Sequence, residues 1–100
     1  MPPFRIRTHP GEVLREEYLK PLGMSANALA RAIRVTPNRI TAIVGETAPQ
    51  AITPDTALRL ARYFKTTPEF WLNMQSAYDL SVTRARIGAA IEAEVQPIAA

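Results

Sequence analysis

The sequence predicts an all-α chain folded as a single domain over residues 1–100, and three observations carry that expectation. Apolar residues recur at the three- and four-residue spacing that lines one face of a helix. The same start signal repeats along the chain, with Pro10, Pro37, Pro54 and Pro68 each at a first helical position, where a missing N–H costs nothing. One hundred residues, 47% of them hydrophobic, are the size of one domain and enough to fill one core.

Taken in order, Met1 to Thr8 sets Arg5 and Arg7 around Ile6, an alternation that fits a short strand, an extended basic arm or a partly ordered terminus. His9 to Lys20 reads as a helix. Glu12 is placed to reach back to its first N–H groups, Val13, Leu14 and Tyr18 form its inner face, and Arg15, Glu16 and Glu17 face water. Pro21 and Gly23 are expected to end it.

Ser25 to Val44 reads as two short helices joined by a tight turn at Arg34, Val35 and Thr36. Ser25 caps the first, whose Leu29, Ala30 and Ile33 share a face. Ala30 has almost no side chain, so a neighbouring helix can approach closely there. Thr36 caps the second, and Ile40, Ile43 and Val44 mark its buried side, which leaves Pro37, Asn38, Arg39, Thr41 and Ala42 pointing outward.

Gly45 to Ile52 is a loop with Gly45 and Pro49 as turn formers and Glu46 as its charge. Thr53 to Lys65 is the next helix: Ala57, Leu58, Leu60, Ala61 and Phe64 form a broad apolar face, with Arg59, Arg62 and Lys65 on a solvated one. Thr67 to Leu80 follows, carrying Phe70, Trp71, Leu72, Met74, Tyr78 and Leu80, more apolar surface than one stripe in a small core needs. Ser81 to Val95 continues as a last helix in which Ile87, Ile91 and Val95 recur every four residues, a lid on the core or a docking strip for a partner helix. Pro97 to Ala100 is tail.

The chemistry is narrower than the fold. The chain has no cysteine, so a disulfide framework and a cysteine metal site are excluded. Its single histidine, His9, has no second His or Cys to share a metal, and no nucleophile and base can be paired among scattered carboxylates, so neither an enzyme, a cofactor nor a metal site is expected. No apolar run resembles a signal peptide or spans a bilayer, which leads us to expect a soluble cytoplasmic protein. A net charge of +3 says little by itself; its placement says more. From Ser25 to Val44 the charges are Arg31, Arg34 and Arg39, with no Asp or Glu.

A helix entering the major groove by its N-terminus presents its first turn to base edges. Asn suits adenine, Arg suits guanine, and Thr and Ala can meet the thymine methyl. Free N–H groups at the starts of both helices suit phosphates. Two amphipathic helices with a tight turn also occur in helical bundles that bind no DNA.

The stretch resembles the helix-turn-helix of the lambda-repressor-like class, with Ala30 at the small-residue position and Ile40 and Ile43 at apolar ones. It departs from that class in two places, with Arg34 where many members have Gly and Ala26 where a polar residue is common. Together with the flanking HPGEVL and TPEFWLNMQ segments and the YDL that follows, the chain is similar to the HigA-type antitoxins over residues 9 to 95. The resemblance implies a five- or six-helix domain that dimerises about a two-fold axis and represses its own operon at a palindromic operator. It also implies that the domain neutralises a HigB-type toxin, an mRNA-cleaving ribonuclease. By position, Pro37, Asn38, Arg39, Thr41 and Ala42 become base readers, with Thr36 and Asn27 near phosphate. The dimer and partner region falls at about residues 67–95, with Trp71, Met74, Tyr78, Ile87 and Ile91 at the interface. A stand-alone helix-turn-helix regulator, and a helical interaction domain without DNA binding, remain open alternatives.

Overall fold

Helix starts are set by side chains that supply the acceptor missing from the first turn. In the computed structural model, which describes residues 5–99, the hydroxyls of Ser25, Thr36, Thr53 and Thr67 accept from the backbone N–H groups of Ala28, Arg39, Thr56 and Phe70. They open α2 (Ala26–Ile33), α3 (Pro37–Val44), α4 (Pro54–Phe64) and α5 (Pro68–Glu94). A helix over residues 10–22, α1, precedes them. No strand occurs among the described residues, so the all-α expectation holds.

α1 differs from its sequence reading in both start and end. Its cap is the His9 imidazole, whose Nδ1 accepts from the Gly11 N–H at 2.8 Å, while Glu12 reaches forward to Arg15 at 3.9 Å. Nor does Pro21 stop it. A proline inside an α-helix collides with the carbonyl four residues back. Here Leu14–Leu19 widens into a π-helical stretch, with Lys20 N–H bonded to the Arg15 carbonyl, and Pro21 is carried to Gly23, where φ is 60°.

His9 is buried, which pushes its pKa below the ordinary 6.5, although the charge of Asp79 pulls the other way. Protonation would place a hydrogen on the Nδ1 that accepts from Gly11. Because the folded state disfavours the proton, stability is complete above pH 6.5 and is lost as pH falls through the lowered folded value. Urea midpoints measured from pH 7.5 downward are expected to fall below about pH 6.5, and His9→Asn, which keeps a capping acceptor without titrating, is expected to flatten that fall.

The core gathers Leu14, Leu29, Ala30, Ile33, Ile40, Ile43, Leu60 and Trp71, each at most 5% exposed. α2 packs on α3 and on α4, α4 packs on α5, and α1 bridges α3 and α5. The two C-terminal helices expected from sequence are one continuous α5, because neither Leu80 nor Ser81 interrupts backbone hydrogen bonding and Gly88 alone does not break a helix. Residues 5–8 run along it without regular structure, and the Arg7 N–H donates to Ser81 Oγ at 2.9 Å. The rest of the expected arm, residues 1–4, lies outside the described residues. None of the described helices is long and apolar enough to cross a membrane.

Candidate nucleic-acid interface

The outward edge of α3 follows from what its other side must do. Ile40 and Ile43 are fully buried, so helical geometry turns Pro37, Asn38 and Thr41 to the surface with Thr36, and leaves Ala42 half-exposed. Thr41 Oγ1 donates back to the Asn38 carbonyl at 3.2 Å, leaving its methyl as the free group. Asn27 is exposed in the first turn of α2. From Tyr18 to Gly45 no carboxylate side chain occurs, so nothing in either helix repels a phosphate.

Arg39 departs from the rest of this set. Expected as an outward reader, its guanidinium instead turns along the protein. Nη2 donates to the Ala51 carbonyl at 2.9 Å and to Thr53 Oγ1 at 3.4 Å, Nη1 to Gln50 Oε1 at 3.2 Å, and Nε to Thr56 Oγ1 at 3.4 Å. Four acceptors from one loop and one helix start satisfy the planar fork, which gives this orientation an advantage over water. Arg39 therefore ties α3 to the loop at residues 45–53 and to the start of α4.

That loop is held at further points. Gln50 N–H donates to the Ala42 carbonyl at 2.9 Å, and Ile52, itself buried, donates its N–H to Gln75 Oε1 at 2.8 Å. Gln75 reaches it from α5, a role its place on an apolar helix gave no sign of.

Two other arginines read as solvated also turn inward, each onto the negative end of a helix. Arg15 Nη1 donates to the Val44 carbonyl at the end of α3 at 2.6 Å. Arg59 Nη1 donates to the Ile33 carbonyl at 2.9 Å and the Arg34 carbonyl at 3.4 Å, at the end of α2, while its Nε pairs with Asp55 at 2.8 Å. Arg34 itself has φ 63°, a left-handed conformation that costs a residue with a Cβ about 1 kcal/mol, and the Arg59 bond helps to hold it.

The predicted dimer residues separate. Trp71 is fully buried in its own chain, with Nε1 donating to Thr66 Oγ1 at 2.9 Å and its ring near Tyr18 and Phe70, so it has no surface left for a partner. Met74 is half-buried against the same core, and Tyr78 is half-buried with its ring edge-on to His9. Ile87 and Ile91 are exposed.

Residues 16–71 match the family model described as helix-turn-helix. The chain is 62% identical over 74 residues to virulence-associated protein I of Dichelobacter nodosus, a match covering 74% of this chain and 67% of that one. Among solved structures it is similar to the Pseudomonas aeruginosa antitoxin HigA with higBA promoter, with a TM-score of 0.86, 42% identity, and coverage of 92% of this chain and 98% of that one. It is likewise similar to the antitoxin GraA in complex with its operator, with a TM-score of 0.90, 42% identity, and coverage of 100% and 99%. The matches span about two thirds of the length of these curated relatives.

Proposed function

The chain belongs to the helix-turn-helix family and within it to the HigA-type antitoxins, and from that premise we propose that it binds a palindromic operator in its own promoter as a repressor. We propose further that it binds and neutralises a HigB-type, mRNA-cleaving toxin, and that it acts as a homodimer in the cytoplasm. The observation that carries the DNA reading is the exposed edge from Thr36 to Ala42, on a helix whose opposite face is buried, in a stretch free of carboxylates. Asn38, Thr41 and Ala42 are the base readers in this proposal, with Asn38 suited to an adenine and the Thr41 methyl to a thymine. Pro37, Thr36 and Asn27 lie where the backbone N–H groups of two helix starts can meet phosphates. Arg39 positions the edge through the loop, and it reads a base only by exchanging its four protein acceptors for a guanine. A two-fold dimer sets two such edges about 34 Å apart, one turn of duplex.

Titration with a duplex from the upstream region of its own gene is expected to give tight binding that weakens steeply with salt. Asn38→Ala is expected to lower that affinity about tenfold or more, and to relax preference at one base pair in each half-site. Equal affinity for the upstream duplex and a scrambled one would defeat the repressor reading. The toxin part is checked separately, by whether the chain co-purifies with the product of the adjacent gene and suppresses its RNA cleavage.

A further inference from the structure

Residues 5–8 and α5 face each other across a cleft of about 640 Å³, a size that takes a small molecule. Its outer wall is tethered. The Arg7 N–H donates to Ser81 Oγ at 2.9 Å, and that hydroxyl donates in turn to the Tyr78 carbonyl at 2.8 Å, so the segment is held to α5 just before the chain enters the buried His9.

Every charged side chain lining the cleft is a guanidinium: Arg5 and Arg7 on the segment, Arg84 on α5. Like charges gathered in one concavity repel, and no carboxylate lines it to offset them. Of the acidic side chains on the adjoining helices, Asp79 accepts from Gln75 Nε2 at 3.0 Å, and Glu12 and Glu16 lie 3.9 and 3.6 Å from Arg15. The three cations are thus left to an anion from outside the chain.

A guanidinium fork engages phosphate oxygens two at a time, and three forks around one cleft suit several linked phosphates better than a single carboxylate. The remaining lining is of another kind. Ile6 and Leu80, 50 and 49% exposed, give an apolar surface on which a planar ring can rest, and Thr8 adds a hydroxyl that a sugar can bond.

We propose that the cleft binds a nucleoside polyphosphate, its phosphates on Arg5, Arg7 and Arg84 and its base against Ile6 and Leu80. The bound molecule bridges residues 5–8 to α5 and so fixes the chain leading into His9, the cap of α1. The site is independent of the operator reading, because neither α5 nor residues 5–8 supplies a residue to that DNA edge.

Titration calorimetry of the full chain with ATP, GTP and inorganic tripolyphosphate tests it. At least one nucleotide is expected to bind once per chain, about tenfold or more tighter than tripolyphosphate, and to raise the melting temperature as its concentration rises. Arg84→Gln, and separately Arg5→Gln with Arg7→Gln, are each expected to weaken that nucleotide about tenfold or more. Leu80→Ser is expected to weaken the nucleotide and leave tripolyphosphate unchanged. Arg62→Gln removes the same charge from the exposed side of α4 and is expected to change neither. All five positions are exposed, so each substitution leaves the fold in place. Absence of saturable binding, tripolyphosphate as tight as both nucleotides, or an equal loss in Arg62→Gln would overturn the proposal. So would displacement of the nucleotide by the upstream duplex, which would make the cleft part of a DNA contact. Sequence-selective operator binding by a chain that takes no nucleotide overturns this site alone. Nucleotide binding by a chain that ignores the upstream duplex overturns the repressor reading alone.

Discussion

Gly11→Ala is expected to destabilise the chain by about 3 kcal/mol or more, though alanine normally favours a helix over glycine by 0.5–1 kcal/mol. A Cβ at position 11 would fall inside the van der Waals envelope of the Ile43 carbonyl oxygen, and close to His9 Nδ1 as well. The obstruction is backbone, so no rotamer relieves it. α1 has to lift from α3, and with it goes the Arg15 bond to the Val44 carbonyl at the end of α3. Urea unfolding gives the sign directly, since a stabilised variant would mean that α1 and α3 do not approach this closely. Operator affinity is expected to fall in the same variant at temperatures where it remains folded.

Trp71→Ala is expected to cost about 3–5 kcal/mol, a large part of the 5–15 kcal/mol that holds a domain of this size. The indole is enclosed by its own chain, so the loss is expected to be the same at every protein concentration. A tryptophan buried mainly by a second copy would instead lower stability in a concentration-dependent way. Trp71→Phe keeps most of the apolar contact and forfeits the bond from Nε1 to Thr66, and is expected to cost about 1–2 kcal/mol. Thermal unfolding at two concentrations separates the two arrangements.

Much of the architecture is legible locally because its determinants act within a turn of helix. Ser25, Thr36, Thr53 and Thr67 start helices by bonding an N–H three residues on, and Ile40 and Ile43 declare a buried face by their spacing. Where the expectation failed, a non-local partner decided. Arg15, Arg39 and Arg59 occupy positions that a helical wheel gives to water, and each is drawn instead to a carbonyl 12 to 29 residues away in sequence. Trp71 sits on a helix with apolar residues on several sides, and periodicity does not say which of them faces the chain's own core. Pro21 shows the same limit, since its clash was relieved by a π-helical turn rather than by ending α1.

By itself, then, the sequence determined an all-α chain, the starts of its helices, the apolar faces that must be covered and a basic stretch whose second helix exposes Asn38 and Thr41. Tertiary structure alone decided that Arg39 anchors a loop, that Gly11 lets two backbones meet, that Trp71 belongs to the interior, and that half of α5 stands uncovered. The division has one physical cause. Capping and periodicity are satisfied within about four residues of chain, whereas an arginine's acceptor or an aromatic ring's neighbours exist only after distant helices have packed.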